Sequence, residues 1–223
     1  PQITGVPPKA PKATSPEGER MIPLVTAFLE QAHKILADEP KANTMLLRGF
    51  AKFHPYKTMT DRYGLKCLAV ANYPMYRGIA NILGMELNPI TENIKTQFEA
   101  VGENFKKYDF FFVHVKYTDS RGEDGDFDAK VKVIEEVDSL LPILTDLHPD
   151  VMVVTADHST PAVLKAHSWH PVPVLLHAKY VRVDEVKAFN EIACLAGALG
   201  QQPMVNLMPL VLANALRLQK YGA

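Results

Sequence analysis

Three ionisable side chains in the second half of the chain are suited to binding divalent metal ions. Asp157 and His158 follow the apolar run 151–155 (VMVVT), and His167 lies nine residues further on. Carboxylate oxygens and imidazole nitrogens are common metal ligands. Because successive side chains of an extended segment alternate in direction, Asp157 and His158 can serve two different ions. The structural alternative is that Asp157 caps a helix that begins near Thr160.

A second polar segment follows the apolar run 109–115 (DFFFVHV) and contains Asp119 and Glu123. This segment, SRGEDGD at its centre, is equally typical of a solvated acidic turn. A third polar segment, 166–171, precedes the next apolar run. Sites in open α/β sheets form just past the carboxyl ends of the strands, so we expect the three segments to converge at one sheet edge.

The other histidines lack a comparable pattern, and we interpret them as structural or surface residues. They are His33, His54, His114, His148, His170 and His177.

Strands and helices that must position these residues alternate along the chain, which predicts an α/β fold with a layered sheet flanked by helices. Apolar runs predict strands at 44–47, 66–71, 109–115, 151–155 and 172–177. Helical periodicity predicts helices at 16–38, 76–84, 93–106, 127–147, 161–166, 184–199 and 204–220. The continuous apolar character of 109–115 is typical of a buried parallel strand.

Composition excludes several classes of function. The formal charge of −1 with interspersed signs gives no electrostatic basis for binding nucleic acid or an anionic membrane. No apolar run approaches the roughly 20 residues of a membrane span. Cys67 and Cys194 lie far apart, which favours two reduced core cysteines in a cytoplasmic protein over a disulfide or zinc knuckle.

The first residues, PQITGVPPKAPKATSPEG, are rich in proline and indicate an extended connector. We therefore expect the chain to be part of a longer protein, with further sequence upstream.

Several motifs together resemble one known family. TADHSTP at 155–161 is followed by AHSWHPVPVLL at 166–176, and HVKYTDSRGEDGDFDAKVKVIEEVD precedes both. With NTMLLRGF and YGLKCLAVANYPMYRGIANILGM further upstream, these segments resemble the archaeal-type, cofactor-independent phosphoglycerate mutases of the alkaline phosphatase superfamily. The resemblance covers nearly the whole chain.

The resemblance implies two divalent metal ions. It assigns Asp119 and His167 to one ion, and Asp157 and His158 to the other. Glu123 stands where the family has a further histidine ligand. Because a carboxylate is a harder ligand than imidazole, this change favours Mn²⁺, with Mg²⁺ and Zn²⁺ as alternatives. Two other interpretations of the change are a weakened first metal site and ligation by the neighbouring Asp124.

The resemblance also implies a substrate and a missing catalytic group. Arg48 and Arg77 fall where the family holds the phosphate and carboxylate of a small phosphorylated three-carbon acid, and surface arginines are the alternative. The nucleophilic serine has no counterpart here, so we assign no catalytic residue in this chain. Residues 1–62 are expected to be a linker and the end of an inserted cap (substrate) domain, and 63–223 the carboxy-terminal half of the phosphatase-like domain.

The implied activity is interconversion of 3-phosphoglycerate and 2-phosphoglycerate through a phosphoserine, carried out together with the missing amino-terminal half of the same protein. The fragment alone is expected to be inactive, and a homo-oligomer is left open. One alternative is a metal-dependent phosphatase or phosphotransferase of the same superfamily, or a phosphonopyruvate decarboxylase relative. Another is a non-catalytic binding or assembly fragment.

Overall fold

The computed structural model describes residues 6–47 and 49–218, so Arg48 lies outside the described residues. The chain forms two compact units, Pro1–Pro55 and Tyr56–Ala223. The assignment of residues 1–62 to a cap domain and 63–223 to a phosphatase-like half stays a prediction.

Helices and short strands alternate along the described chain. The helices are α1 (Pro16–Glu19), α2 (Ile22–Ile35), α3 (Met59–Tyr63), α4 (Pro74–Ile82), α5 (Ile94–Asn104), α6 (Tyr117–Asp124), α7 (Phe127–Leu140), α8 (Pro142–Thr145), α9 (Glu191–Cys194) and α10 (Leu207–Asn214). The strands are β1 (Cys67–Ala71), β2 (Glu86–Leu87), β3 (Phe110–His114), β4 (Val151–Val154) and β5 (Leu175–Ala178). A 3₁₀ turn covers Met204–Asn206.

In the first unit, residues 16–38 form two helices where the sequence predicts one. Ser15 caps α1 by accepting a hydrogen bond from the Gly18 amide at 3.2 Å. Pro23 lies in the first turn of α2. Proline cannot donate a backbone hydrogen bond, and its ring clashes with the carbonyl four residues earlier, which here belongs to Glu19. The helix therefore ends at Glu19 and restarts after a break.

The predicted strand at 44–47 is wrong, because this segment has no regular structure. A strand needs a neighbour that satisfies its amide and carbonyl groups. Among residues 6–47 and 49–55 the structure describes no other strand that could supply one. Apolar composition alone was therefore a poor guide here.

A three-stranded parallel sheet with the order β2–β1–β3 forms the centre of the second unit. All five residues of the middle strand, β1, are buried. Its register with β3 pairs Cys67 with Phe110 and Ala71 with His114. Together with the helices around it, this sheet confirms the predicted α/β class.

The two faces of β1 contribute to separate apolar clusters, as the alternation of strand side chains requires. Cys67 and Ala69 pack with residues of α3, α4 and α10. Leu68 and Val70 pack with residues of α5, including Val101. Helices therefore cover both faces of the strand.

A second sheet consists of β4 and β5, which run antiparallel, with Val151 opposite Ala178 and Val154 opposite Leu175. The predicted strand at 172–177 begins three residues later than expected. The polar segments that surround this sheet lead directly into the candidate site.

Besides 16–38, four predicted helices differ from the structure by more than their ends, and one of them, 127–147, is divided at Leu141 into α7 and α8. Residues 161–166 form turns, and within 184–199 only α9 is helical. The Asp184 carboxylate accepts hydrogen bonds from the amides of Val186 and Ala198, at 3.0 and 2.8 Å, which fixes a loop in place of the predicted helix.

The last predicted helix, at 204–220, is shorter in the structure. It is represented by the 3₁₀ turn and α10, and its end from residue 219 lies outside the described residues. Within the described ranges, no helix combines the length and hydrophobicity needed to cross a bilayer.

Candidate metal centre

The acidic segment after β3 is a helix, not the turn that its composition suggests. Helix α6 ends at Gly125, whose φ of 76° is the left-handed conformation that glycine adopts readily. Asp119 and Glu123 are four positions apart on this helix. They therefore project from the same helix face.

The segment after β4 supplies Asp157 and His158, and a backbone link brings His167 beside them. The amide of Ser168 donates to the carbonyl of Ser159 at 2.9 Å, which forms an isolated antiparallel bridge. His158 and His167 are the residues just before the two bridge positions. The bridge thus explains why side chains nine residues apart reach the same place.

These segments converge on α6, as expected, but not at the edge of a single sheet, because β3 and β4 belong to different sheets. Asp119, His158 and His167 each offer one ligand atom, and these three atoms lie within 4.8 Å of one another. The Nε2 atom of His167 lies 3.5 Å from Asp119 Oδ1 and 3.5 Å from Glu123 Oε1. The Nε2 atom of His158 lies 3.3 Å from Asp157 Oδ2. All five predicted ligand side chains therefore belong to one connected group, while their role as ligands remains a prediction.

Asp119 is the most enclosed carboxylate of the group, with 13% of its side chain exposed. Burial would raise its pKa, but hydrogen bonds from Lys116 and Thr160 outweigh that effect and lower the pKa. The Thr160 hydroxyl lies 2.5 Å from Asp119 Oδ1, and the Lys116 ammonium donates to Oδ2. Asp119 is therefore held as an anion.

Lys116 is a site residue that sequence reasoning missed. Burial would lower its pKa, but the hydrogen bond to the Asp119 carboxylate contributes to a net increase. Its ammonium also lies 4.9 Å from the centre of the Tyr73 ring, a cation–π geometry. Its position between the apolar strand β3 and the acidic segment could have indicated that Lys116 belongs to the site.

Tyr76 is a second missed residue, and it comes from α4. Its hydroxyl donates a hydrogen bond to Asp157 Oδ2, across 81 positions of sequence. Its ring stacks on His114, with the ring centres 3.9 Å apart. Asp157 therefore contacts Tyr76 and His158. The alternative that Asp157 caps a helix is wrong, because no helix begins at Thr160.

His114, at the end of β3, lies behind this contact. Burial, followed by the nearby charge of Lys116, lowers its pKa to about 4. Its Nδ1 atom is buried and has no hydrogen-bond partner within the described part of the chain. The ring is therefore neutral near pH 7.

Of the two arginines predicted to bind substrate, the structure describes only Arg77. Arg77 Nη1 donates to the carbonyls of Ala71 and Asn88 at 2.8 and 2.7 Å, so it ties the end of β1 to the residue that follows β2. Arg48 lies outside the described residues. Substrate binding by either arginine stays a prediction.

Comparison with known proteins shows which family the chain belongs to. A model of the Metalloenzyme superfamily matches residues 29–214. A Thermosipho africanus protein is 49% identical over 223 residues, which are the whole of this chain and 56% of that protein. An Aquifex aeolicus protein is 46% identical over 224 residues, which cover 100% of this chain and 55% of that protein. Both are called probable 2,3-bisphosphoglycerate-independent phosphoglycerate mutase, so the resemblance drawn from the motifs is confirmed.

Solved structures agree on the fold. A Pyrococcus horikoshii protein matches with a TM-score of 0.72 and 29% identity, over 75% of this chain and 54% of that protein. The cofactor-independent phosphoglycerate mutase of Thermoplasma acidophilum has a TM-score of 0.64 and 24% identity, over 96% of this chain and 57% of that protein. The chain spans about half the length of the curated relatives that it matches.

Proposed function

Because the chain belongs to the Metalloenzyme superfamily, we propose that the group around Asp119 is the divalent-metal site of a phosphoryl-transfer enzyme. Membership of this superfamily implies dependence on divalent metal ions. The observation that carries the proposal is the convergence of Asp119, His158 and His167, whose ligand atoms lie within 4.8 Å of one another.

The donor set fits such an ion. Oxygen and nitrogen ligands lie about 2.0–2.2 Å from zinc, so two ligands of one ion are separated by up to about 4.4 Å. The observed separations require only small side-chain adjustments. Glu123 Oε1 supplies one more oxygen within 3.5 Å of His167 Nε2, and this additional carboxylate favours Mn²⁺ or Mg²⁺ over Zn²⁺.

Two arrangements of ligands are compatible with these distances. In the first, Asp119 and His167 share one ion while Asp157 and His158 share another. In the second, a single ion lies among Asp119, His158 and His167. Calorimetric titration of the 223-residue chain with Mn²⁺ separates them by stoichiometry, and absence of binding for any divalent ion would overturn the metal proposal.

For the longer protein, we propose a mutase that interconverts 3-phosphoglycerate and 2-phosphoglycerate in glycolysis and gluconeogenesis in the cytoplasm. The similarity of the whole chain to the relatives of that name supports the proposal. Bound metal would stabilise negative charge on the transferred phosphoryl oxygens. This chain would hold the ion, while a serine outside it would carry the phosphoryl group.

A chimera tests this proposal directly. The segment of the Thermosipho africanus relative that matches this chain is replaced by the 223 residues, and interconversion of the two phosphoglycerates is measured with Mn²⁺ present. We expect turnover in the chimera, loss of at least about a hundredfold on Asp119→Asn within it, and none in the 223-residue chain alone. Release of inorganic phosphate without isomerisation would instead identify a phosphatase.

A further inference from the structure

Thr160 is a buried polar residue between two of the candidate ligands. Only 4% of the residue is exposed. Its Oγ1 atom lies 2.5 Å from Asp119 Oδ1 and 3.0 Å from His158 Nδ1. A hydroxyl carries one hydrogen, so it can donate to only one of these two neighbours.

The backbone carbonyl of Thr160 also has close neighbours. Lys130 Nζ, on α7, donates to the Thr160 carbonyl at 2.6 Å. Gly122, on α6, lies so close that an added Cβ would be 2.3 Å from the same carbonyl oxygen. Two helices therefore fix the position from which the hydroxyl reaches Asp119 and His158.

The direction of the hydroxyl hydrogen follows from its partners. Asp119 is an acceptor, because its other oxygen is paired with the Lys116 ammonium. Thr160 therefore donates to Asp119, which leaves the lone pairs of Oγ1 for His158. To complete the contact, His158 must carry a hydrogen on Nδ1, and in a neutral imidazole the Nε2 atom then has the lone pair.

The lone pair on His158 Nε2 faces a second acceptor atom. His158 Nε2 lies 3.3 Å from Asp157 Oδ2, and Tyr76 already donates to that carboxylate oxygen. Two acceptor atoms that face each other repel unless a proton or a cation lies between them. A metal ion at this position would satisfy both atoms.

We infer that Thr160 is a positioning residue that selects the Nδ1–H tautomer of His158 and so makes Nε2 the ligand atom, directed towards Asp157. The inference rests on the proposed metal site. It favours the two-ion arrangement, in which Thr160 connects Asp119 of one ion to His158 of the other. Hydrogen bonds of this kind commonly determine the orientation and basicity of a metal-binding imidazole.

The first test reads the tautomer without metal. In the 223-residue chain labelled with ¹⁵N-histidine, with His158→Gln used to assign the signal, His158 should show a protonated Nδ1 and an unprotonated Nε2. Thr160→Val should remove this preference, and Thr160→Ser should keep it. A wild-type His158 protonated on Nε2 alone would overturn the inference, even if the valine variant failed to fold.

The second test reads metal affinity by calorimetry with Mn²⁺. We expect Thr160→Val to weaken binding about 10- to 100-fold, and Thr160→Ser to change it less than about threefold. Ser159→Ala is the matched control, because the Ser159 hydroxyl donates to the His170 carbonyl at 3.2 Å, and binding should stay within about twofold.

The two proposals fail in distinguishable ways. Metal binding that is equal in wild type and Thr160→Val, with an unchanged tautomer, would overturn the role of Thr160 and leave the metal site intact. The expected tautomer shift without metal binding by any variant would support the selection of the tautomer by Thr160, but it would overturn the metal site and with it the role of Nε2 as a ligand atom.

Discussion

The imidazole rings of His158 and His167 stack, with centroids 3.7 Å apart and planes inclined by 29°. Each ring restricts the rotation of the other, and Thr160 restricts His158 further. Side chains that are already ordered lose less conformational entropy when they bind a ligand. The pair is therefore pre-organised even though half of the His167 side chain is exposed.

Replacing Glu123 with histidine should shift metal preference towards zinc. Glu123 shares a helix face with Asp119, and its carboxylate lies 3.5 Å from His167 Nε2. An imidazole there is a softer ligand, so we expect Glu123→His to tighten Zn²⁺ binding about tenfold and to change Mn²⁺ binding less. Competitive calorimetry on the 223-residue chain measures both affinities.

The control for this change is Asp124→His, at the next position of the helix. Asp124 is paired with Arg121 at 3.2 Å, so we expect no change in zinc affinity. Unchanged affinity in Glu123→His would argue against Glu123 as a ligand.

Removing the Lys116 ammonium should strengthen metal binding. Lys116 is paired with Asp119, and a metal ion must compete with that positive charge. We expect Lys116→Met to lower the Kd for Mn²⁺ about tenfold. Lys95→Met is the control, because Lys95 pairs with Glu99 on α5 at 3.6 Å, away from the site. Weaker binding in Lys116→Met would indicate that the lysine orders Asp119 more than it competes.

Two glycine substitutions should have opposite effects on stability. An added Cβ at Gly122 would lie 2.3 Å from the Thr160 carbonyl oxygen, so we expect Gly122→Ala to destabilise the fold by about 1–3 kcal/mol. Gly78 lies in α4 with open space around it, and Gly78→Ala should stabilise by about 0.5–1 kcal/mol. Urea denaturation measures both, and an equal effect of the two would contradict the close packing of α6.

Acid should destabilise the chain through His114. Its pKa is about 4 in the folded chain, lowered by burial and by Lys116 from an ordinary value of 6.5. Between these values the unfolded chain binds the proton more strongly, so the free energy of unfolding falls as pH decreases from about 6.5 towards 4. The His114 contribution amounts to about 1–3 kcal/mol.

A substitution separates this contribution from the rest of the acid response. His114→Phe keeps a ring against Tyr76 and should flatten the pH dependence between 7 and 4 by about that amount. His54→Gln, at an exposed position, should leave the slope unchanged. Denaturant titrations at several pH values give the comparison, and an identical slope in His114→Phe and wild type would contradict the assignment.

Local sequence patterns were sufficient for the buried strand β1 and for the convergence of the polar segments, while the role of their side chains as ligands stays a prediction. The run 66–71 contains β1, whose residues are all buried, and the side chains just beyond β3 and β4 meet as predicted. Thr160 and Tyr76 were missed because their roles depend on contacts with Asp119 and Asp157, which are 41 and 81 positions away. No local pattern encodes such pairs.

Helical predictions failed where side chains offered the backbone other partners. The segment 184–199 has the apolar content of a helix, but Asp184 binds two of its amides and holds it in a loop. For the acidic segment at 117–124 no helix was predicted, because its polar composition was equally typical of a solvated turn, and the structure has a helix there.

The helical form of 117–124 has a consequence for how the site tolerates changes in length. A loop absorbs an inserted residue by bending, but each residue added to a helix rotates everything beyond it by about 100°. One residue inserted between Asp119 and Glu123 would turn the second carboxylate away from the first. Natural and engineered variants should therefore accept substitutions between these two positions far more readily than insertions or deletions.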